Sequence, residues 1–413
     1  MLDKQFILEN LDAVAKNIAD RGMTVDLESF VALDKKRKEI LLVLEEKRSQ
    51  RNVGSKSKPT PEMIEQMKAI GAEIKTLEVD LANVDEKFLA VYQSIPNMSH
   101  PDSPIGGEDK GKEIEVVGTI PTFDFDAQTH EQWLTQKGYL DFERGAKVVG
   151  SKFYFSKGEL VKMNLAILQL GIDIAEKHGF ELVETPDLAK NQILEGIGFQ
   201  PRGNETQIYS IENTDLSLVG TAEITMGGYH SNEVLDVVEK PKKYVALSHC
   251  YRTEAGAYGK TSKGLYRVHQ FTKLEMFIFC NPKQSPELHQ ELLAIEKEIC
   301  DALELSYHVI DIATGDLGSP ASRKFDIEAY MHMKEGYGEV TSASNCTDYQ
   351  SRRLKIKYTN EEGKKKFVHT LNGTAVVTSR MPIALIEQHQ KADGSVYIPE
   401  KLRPYLGGRS HIN

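Results

Sequence analysis

The longest stretch of unbroken hydrophobic spacing lies near the N-terminus. Met63, Met67, Ile70, Ile74, Leu77, Leu81, Val84, Phe88, Val91 and Ile95 follow one another at alternating intervals of four and three. This is the seam of a helix that packs lengthwise on a partner. Upstream, from about Leu27, a second helical pattern carries Phe30, Leu33, Ile40 and Leu44 on one side. Only the turn-forming Ser55 to Pro61, SKSKPTP, separates the two. They must therefore run antiparallel, as a hairpin over about residues 27–95 that is about 50 Å long at 1.5 Å per residue. Before it, Leu8, Leu11, Val14 and Ile18 recur at helical spacing, and Gly22 closes a small helix.

The pattern then changes. Residues 101–120 are rich in Pro, Gly and charge and read as a linker between a helical arm, 1–100, and a mixed domain, 121–413. In that domain Trp133 to Phe155 suggests a helix and then a hairpin. Leu160 to His178 has helical periodicity closed by Gly179, and FELVETP reads as a strand ending at Pro186. The centre is a strand, glycine-rich loop and strand. Tyr244 to Glu254 and Val268 to Phe279 are β-rich runs, and the loop between them holds Gly256, Gly259 and Gly264. Side chains alternate faces along a strand. Arg252 and Glu254 then share one face. Arg267, His269, Lys273 and Glu275 share another, opposite Val268, Leu274, Met276 and Ile278. A hairpin with one wet face explains such alternation. A mixture of Arg, Glu, His and Lys beside large aromatics instead suggests a pocket floor for a ligand carrying both signs of charge.

A net charge of −10 by itself disfavours nucleic acid, but the distribution is uneven. Between Lys35 and Lys58 stand nine basic residues against Glu39, Glu45 and Glu46. A localised basic segment on an acidic chain fits contact with a polyanion, and it also fits a solvated helix face. The four cysteines, Cys250, Cys280, Cys300 and Cys346, form no C-x-x-C pair, which excludes a zinc ribbon and a dithiol redox motif. Scattered thiols, an acidic start without a signal-peptide pattern, and no apolar run of spanning length lead us to expect a cytoplasmic protein without membrane attachment. Neither G-x-G-x-x-G nor G-x-x-x-x-G-K-[ST] occurs, so a nucleotide site is neither Rossmann nor P-loop.

Four stretches stand in order: GTAE (220–223), the central hairpin, GEVTSASNCTDYQSRR (338–353) and HTLNGTAVVTSR (369–380). In this order, and together with the hairpin arm and Arg51-Asn52 near its tip, the chain resembles the seryl-tRNA synthetases over nearly its whole length. FELVETP is similar to the first class II motif, at the dimer interface. YRTEAG with RVHQFTKLE is similar to the second, and NGTAVVTSR to the third, with Ser379 and Met381 where the family usually has glycine and threonine around the arginine. The resemblance implies an α+β fold: an antiparallel sheet of six or seven strands flanked by helices, with an N-terminal antiparallel coiled-coil arm that binds tRNA. It implies a homodimer that uses ATP and Mg²⁺ to form seryl-adenylate from L-serine. The seryl group then passes to the 3′ end of tRNA-Ser, with tRNA-Sec a further candidate acceptor.

By the same resemblance, Arg252 contacts the α-phosphate and Arg380 the γ-phosphate end. Arg252, Thr253, Glu254, Glu339, Val340, Thr341, Ser342 and Arg380 form the ATP site, with Glu254 accepting from the adenine amino group. Glu339 and Ser342 hold Mg²⁺. Thr221, Ala222, Glu223, Glu275 and Thr374 form the serine site. His269 and Gln270 match R-x-H-Q-F and shape the site rather than bind metal. The chemistry suits these residue types. A carboxylate attacking a phosphate needs no general base, so positioning and charge neutralisation carry the reaction. Residues 339 and 342 have opposite parity on a strand, so reaching one ion requires a bulge or a strand end. Three other readings stay open. A synthetase for threonine, proline or histidine would carry an anticodon-binding domain after the third motif, and 33 residues after Arg380 are too few for one. A non-catalytic tRNA-binding paralogue would keep the arm without the site residues. An amino acid:carrier protein ligase would have no use for a basic arm.

Overall fold

A computed structural model describes the chain except residues 55–59, 200–206 and 255–263, and only the backbone at 53 and 54. Lys56, Lys58, Gly256, Gly259 and most of the SKSKPTP turn lie outside the described residues. The chain divides into two compact units, Met1–Met98 and Ser99–Asn413.

In the first unit, α1 (Lys4–Glu9), α2 (Leu11–Asp20), α3 (Leu27–Gly54) and α4 (Pro61–Ser94) follow in order. The small N-terminal helix expected as one is two. At Asn10 the backbone leaves helical geometry, and its side-chain amide donates to the Phe6 carbonyl at 2.9 Å. Thr60 caps α4 by accepting from the Met63 N–H at 3.3 Å, with Pro61 in the first turn. Along the heptad seam Ile74, Val84, Phe88 and Ile95 are buried and the other six positions are half-buried. Phe30 of α3 stacks on Phe88 at 5.2 Å. The basic segment is less bare than its own stretch suggests. Arg37 pairs with Asp85, Lys47 with Glu73 at 2.5 Å and Arg48 with Glu78 at 2.8 Å, all across the hairpin. Lys35, Lys36 and Arg51 stay exposed. Buried Asp34 is held by Lys4 at 2.9 Å and Lys38 at 2.7 Å.

The second unit is built on an eight-stranded sheet. Its strands are β1 (Lys112–Val117), β2 (Glu181–Glu184), β3 (Lys242–Tyr251), β4 (Gln270–Cys280), β5 (Tyr307–Asp311), β6 (Arg323–Met331), β7 (Gly336–Asn345) and β8 (His369–Val377). The spatial order is β1-β5-β6-β7-β8-β4-β3-β2. Every pair is antiparallel except β2 with β3, at one edge. The sheet thus exceeds the expected six or seven strands. Part of the extra width is β1, which lies within the expected linker: KEIEVV pairs with β5 instead of trailing free. The helix-then-hairpin reading of Trp133 to Phe155 also changes. Leu140–Asp141 and Phe155–Ser156 do pair, but a helix, Phe142–Val148, fills the connection.

Helices α5 (Glu159–Lys177) and α7 (Ser285–Ala302) bury one face of the sheet, where Leu274, Met276 and Ile278 of β4 join the main core. The opposite face of β4 is charged only at Lys273 and Glu275. Further along, Phe277 and Phe279 pack with Ala222 and Met226 of α6 (Ala222–Tyr229) in a second cluster. The alternation of charged and apolar faces therefore holds for one end of the strand. Arg252, Glu254, Arg267 and His269 lie outside β3 and β4, so no strand fixes the face they share.

Two bulges interrupt neighbouring strands. In β7, Glu339 faces Glu328 and Thr341 faces Ile327, which leaves Val340 without a partner. In β8, Thr374 faces Glu275 and Val376 faces Leu274, which leaves Ala375 over. Each extra residue reverses the alternation beyond it.

Candidate active site

A cleft opens on the sheet face away from α5 and α7, and Arg252, Lys273, Glu339, Thr374 and Arg380 line it. Arg252 follows directly after β3. Its Nε donates to the Gly220 carbonyl at 3.2 Å, and its guanidinium lies 5.4 Å from the Phe271 ring. Arg380 precedes α8 (Met381–Gln388), with Pro382 in the first turn. Its Nη1 meets Glu339 Oε1 at 2.9 Å and the Glu339 carbonyl at 3.1 Å, and the Tyr266 ring lies 4.8 Å away. Ser379 is buried against the same cleft, so the serine before Arg380 is accommodated. Glu254 adopts φ +49, which few non-glycine residues do, and its carboxylate sits 3.4 Å from Arg267. The Thr253 N–H donates to the Gln207 carbonyl at 3.1 Å.

The β7 bulge supplies what parity demanded. Glu339 and Ser342 emerge on the face that also carries Glu328 and Asp326, and Ser342 hydrogen-bonds Asp326. Burial pushes the Asp326 carboxyl up to about 7 despite Lys324, while its Oδ1 has no hydrogen-bond partner. Burial works the same way on Glu339, but Arg380, Lys324 and Arg252 hold its carboxyl below the ordinary value. Val340, the bulged residue, lines the cleft. The Thr341 side chain points the other way and donates to Glu296 of α7 at 2.9 Å, so its hydroxyl faces away from the cleft.

The third group gathers at the start of α6. Thr221 caps that helix and accepts from the Glu223 N–H at 3.3 Å, and Ala222 is buried. Glu223 Oε1 accepts from Gln350 Nε2 at 2.8 Å and from Asn372 Nδ2 at 3.0 Å. Burial, and then the nearby Glu275 charge, raise its carboxyl to about 7. Glu275 is 1% exposed and paired with Lys273 at 2.5 Å, and Thr374 stands opposite it on β8. His269 Nδ1 lies 2.8 Å from the Arg252 carbonyl, and its ring stacks on Phe153. Gln350, Asn372 and Tyr266 were not singled out beforehand. The two amides lie within quoted stretches, but a neutral amide on a helix or strand has no periodic signature, and only the fold brings them to Glu223.

A largely antiparallel sheet with two arginines and a set of carboxylates on its open face is the core of a class II aminoacyl-tRNA synthetase. Residues 207–389 match the family model for the tRNA synthetase class II core domain (G, H, P, S and T), and residues 1–99 match the seryl-tRNA synthetase N-terminal domain. The serine–tRNA ligase of Treponema denticola is 49% identical over 417 aligned residues, covering 98% of this chain and 99% of its own. That of Rubrobacter xylanophilus is 48% identical, covering 98% of each. Among solved structures, the seryl-tRNA synthetase of Pyrococcus horikoshii, complexed with ATP, superposes with a TM-score of 0.89 at 34% identity, covering 100% of this chain and 99% of that one. The chain belongs to the seryl-tRNA synthetase family.

Proposed function

We propose that this chain activates L-serine with ATP to give seryl-adenylate and pyrophosphate, then transfers the seryl group to tRNA-Ser. The observation that carries the reading is one cleft lined by two guanidinium groups, Arg252 and Arg380, beside two neighbouring carboxylates, half-buried Glu223 and buried Glu275. Such a floor suits a triphosphate and a small zwitterion held together.

The serine carboxylate attacks the α-phosphate, and pyrophosphate leaves. No side chain removes a proton, so the chain acts by orientation and by charge. Arg252, fixed by Gly220 and Phe271, takes the α-phosphate with a planar guanidinium suited to paired contacts. Arg380 takes the γ-phosphate end, and its partner Glu339 and the Tyr266 ring fix its direction. Glu254, Thr253 and Val340 complete the ATP site, with Glu254 accepting from the adenine amino group. Glu223 receives the serine ammonium on the oxygen turned away from Gln350 and Asn372. Glu275 with Lys273, and Thr221 and Thr374 beside them, serve the hydroxyl. Glu339 and Ser342 offer oxygen donors on one side of β7, and the donor set fits Mg²⁺. Those two residues would hold the ion together with ATP, where it would supply neutralisation of phosphate charge.

The helical arm, about residues 27–95, holds the tRNA by shape and backbone, with Arg51 and its basic neighbours in contact with phosphate. The remaining parts of the reading are a catalytic domain over 121–413, a homodimer through the β2 region, cytoplasmic residence, and tRNA-Sec as a second acceptor. No helix among the described residues is long and apolar enough to cross a membrane. A non-catalytic paralogue is disfavoured by the intact Glu223, Arg252, Glu275, Glu339 and Arg380. The test is ATP–pyrophosphate exchange screened across amino acids. Exchange with serine and charging of tRNA-Ser are expected; good tRNA binding without exchange refutes the catalytic reading.

A further inference from the structure

His130 and Glu387 are buried to 1% and 0% exposure, lie 257 residues apart, and belong to none of the groups above. Glu387 Oε1 accepts from the His130 backbone N–H at 2.8 Å and lies 2.7 Å from ring Nδ1. Its Oε2 accepts from the Met333 N–H at 2.9 Å. On the far side of the ring, Nε2 accepts the Leu265 N–H at 3.0 Å. A ring nitrogen that accepts carries no proton, so Nδ1 bears it and donates to the carboxylate.

Three edges of the cleft meet at this pair. Glu387 lies on α8, the helix that starts after Arg380. Met333 precedes Lys334, whose Nζ lies 3.9 Å from the Tyr266 ring. Leu265 precedes Tyr266, which faces the Arg380 guanidinium. The segment is drawn tightly onto the imidazole: Gly264 has φ +58, and a Cβ there would stand 2.2 Å from Nε2. Only glycine fits.

We propose that His130 is a positioning residue for ATP. Tied to α8 through Glu387, it holds the Leu265 N–H and so keeps Tyr266 against Arg380, which aims the guanidinium at the phosphate end of the cleft. The proposal rests on the phosphate role given to Arg380 above. His130 itself touches no substrate.

The test is KM for ATP and for serine in serine-dependent exchange. His130→Asn keeps a donor toward Glu387 and removes the acceptor at Nε2, which strands a buried N–H. It should raise KM for ATP about tenfold, the cost of one such hydrogen bond, and leave KM for serine within about twofold. His130→Gln puts an amide oxygen near the Nε2 position and should recover most of the loss. Gly264→Ala pushes the segment off the ring with the His130–Glu387 pair intact, so it should give the same ATP-selective rise even if a His130 variant does not fold. Equal changes in both KM values, a fall in kcat alone, or no rescue by His130→Gln overturns the proposal. Absence of exchange in the unaltered chain would refute the proposed function instead, and equilibrium dialysis of ATP on the same variants would then decide the positioning role.

Discussion

Glu223→Gln removes a charge that the fold itself works against. The carboxyl sits behind Gln350 and Asn372 and near Glu275, and it titrates at about 7 where 4.5 is ordinary. That difference is about 3 kcal/mol in favour of the neutral form in the free protein. The ammonium of serine reverses the preference, because it needs an ionised acceptor. The sign follows: above about pH 7 the carboxylate is ready, and below it a proton must leave before serine binds. With ATP saturating, kcat/KM for serine should fall about tenfold per pH unit below 7. In Glu223→Gln the amide keeps the shape and loses the charge. At pH 8 kcat/KM should drop by about 2–3 kcal/mol, the worth of a charge-assisted hydrogen bond, or roughly a hundredfold. The acid limb belonging to this group should vanish. The assay is serine-dependent ATP–pyrophosphate exchange from about one and a half pH units below the titration to about one and a half above it. An unchanged acid limb in the variant would show that another group sets the profile, and the assignment of the ammonium to Glu223 would fail.

Arg252→Ala should lower kcat of exchange by about two to three orders of magnitude, because the cation acts on charge that grows in the transition state. A raised KM with kcat intact, measured in the same assay, contradicts that. Deletion of residues 27–95 should spare exchange and abolish charging of tRNA-Ser; unchanged charging refutes the role of the arm. Phe88→Ala removes a buried ring stacked on Phe30 and should destabilise the first unit by about 3–5 kcal/mol, read by calorimetry, while exchange stays as it was. Loss of exchange in that variant would show that the site depends on the packing of the arm.

Local periodicity made the arm legible. The four-three alternation from Met63 to Ile95 names every inward position, since each interval is a property of one helix. The basic count around Lys35 to Lys58 fared less well. It read one helix and could not see Asp85, Glu73 and Glu78 arriving from the other. In the second unit, motif order pointed to Arg252, Glu275 and Arg380, and the parity conflict between 339 and 342 correctly demanded a bulge. The Thr341 side chain turns from the cleft because the extra residue falls at Val340, just before it, and strand alternation counts from there. Gln350, Asn372 and the His130–Glu387 pair were invisible for a further reason. Their partners are distant in the chain, and nothing local distinguishes a buried amide or imidazole that ligates from one that merely packs.

The unpaired Val340 has a consequence for how this strand tolerates change. Removing that single residue would let the ladder close with Thr341 still opposite Ile327 and Ser342 still opposite Asp326, so both hydroxyls would keep their sides. The spare position is harmless to the oxygen donors: a gap there would take one apolar side chain from the wall of the cleft and nothing else.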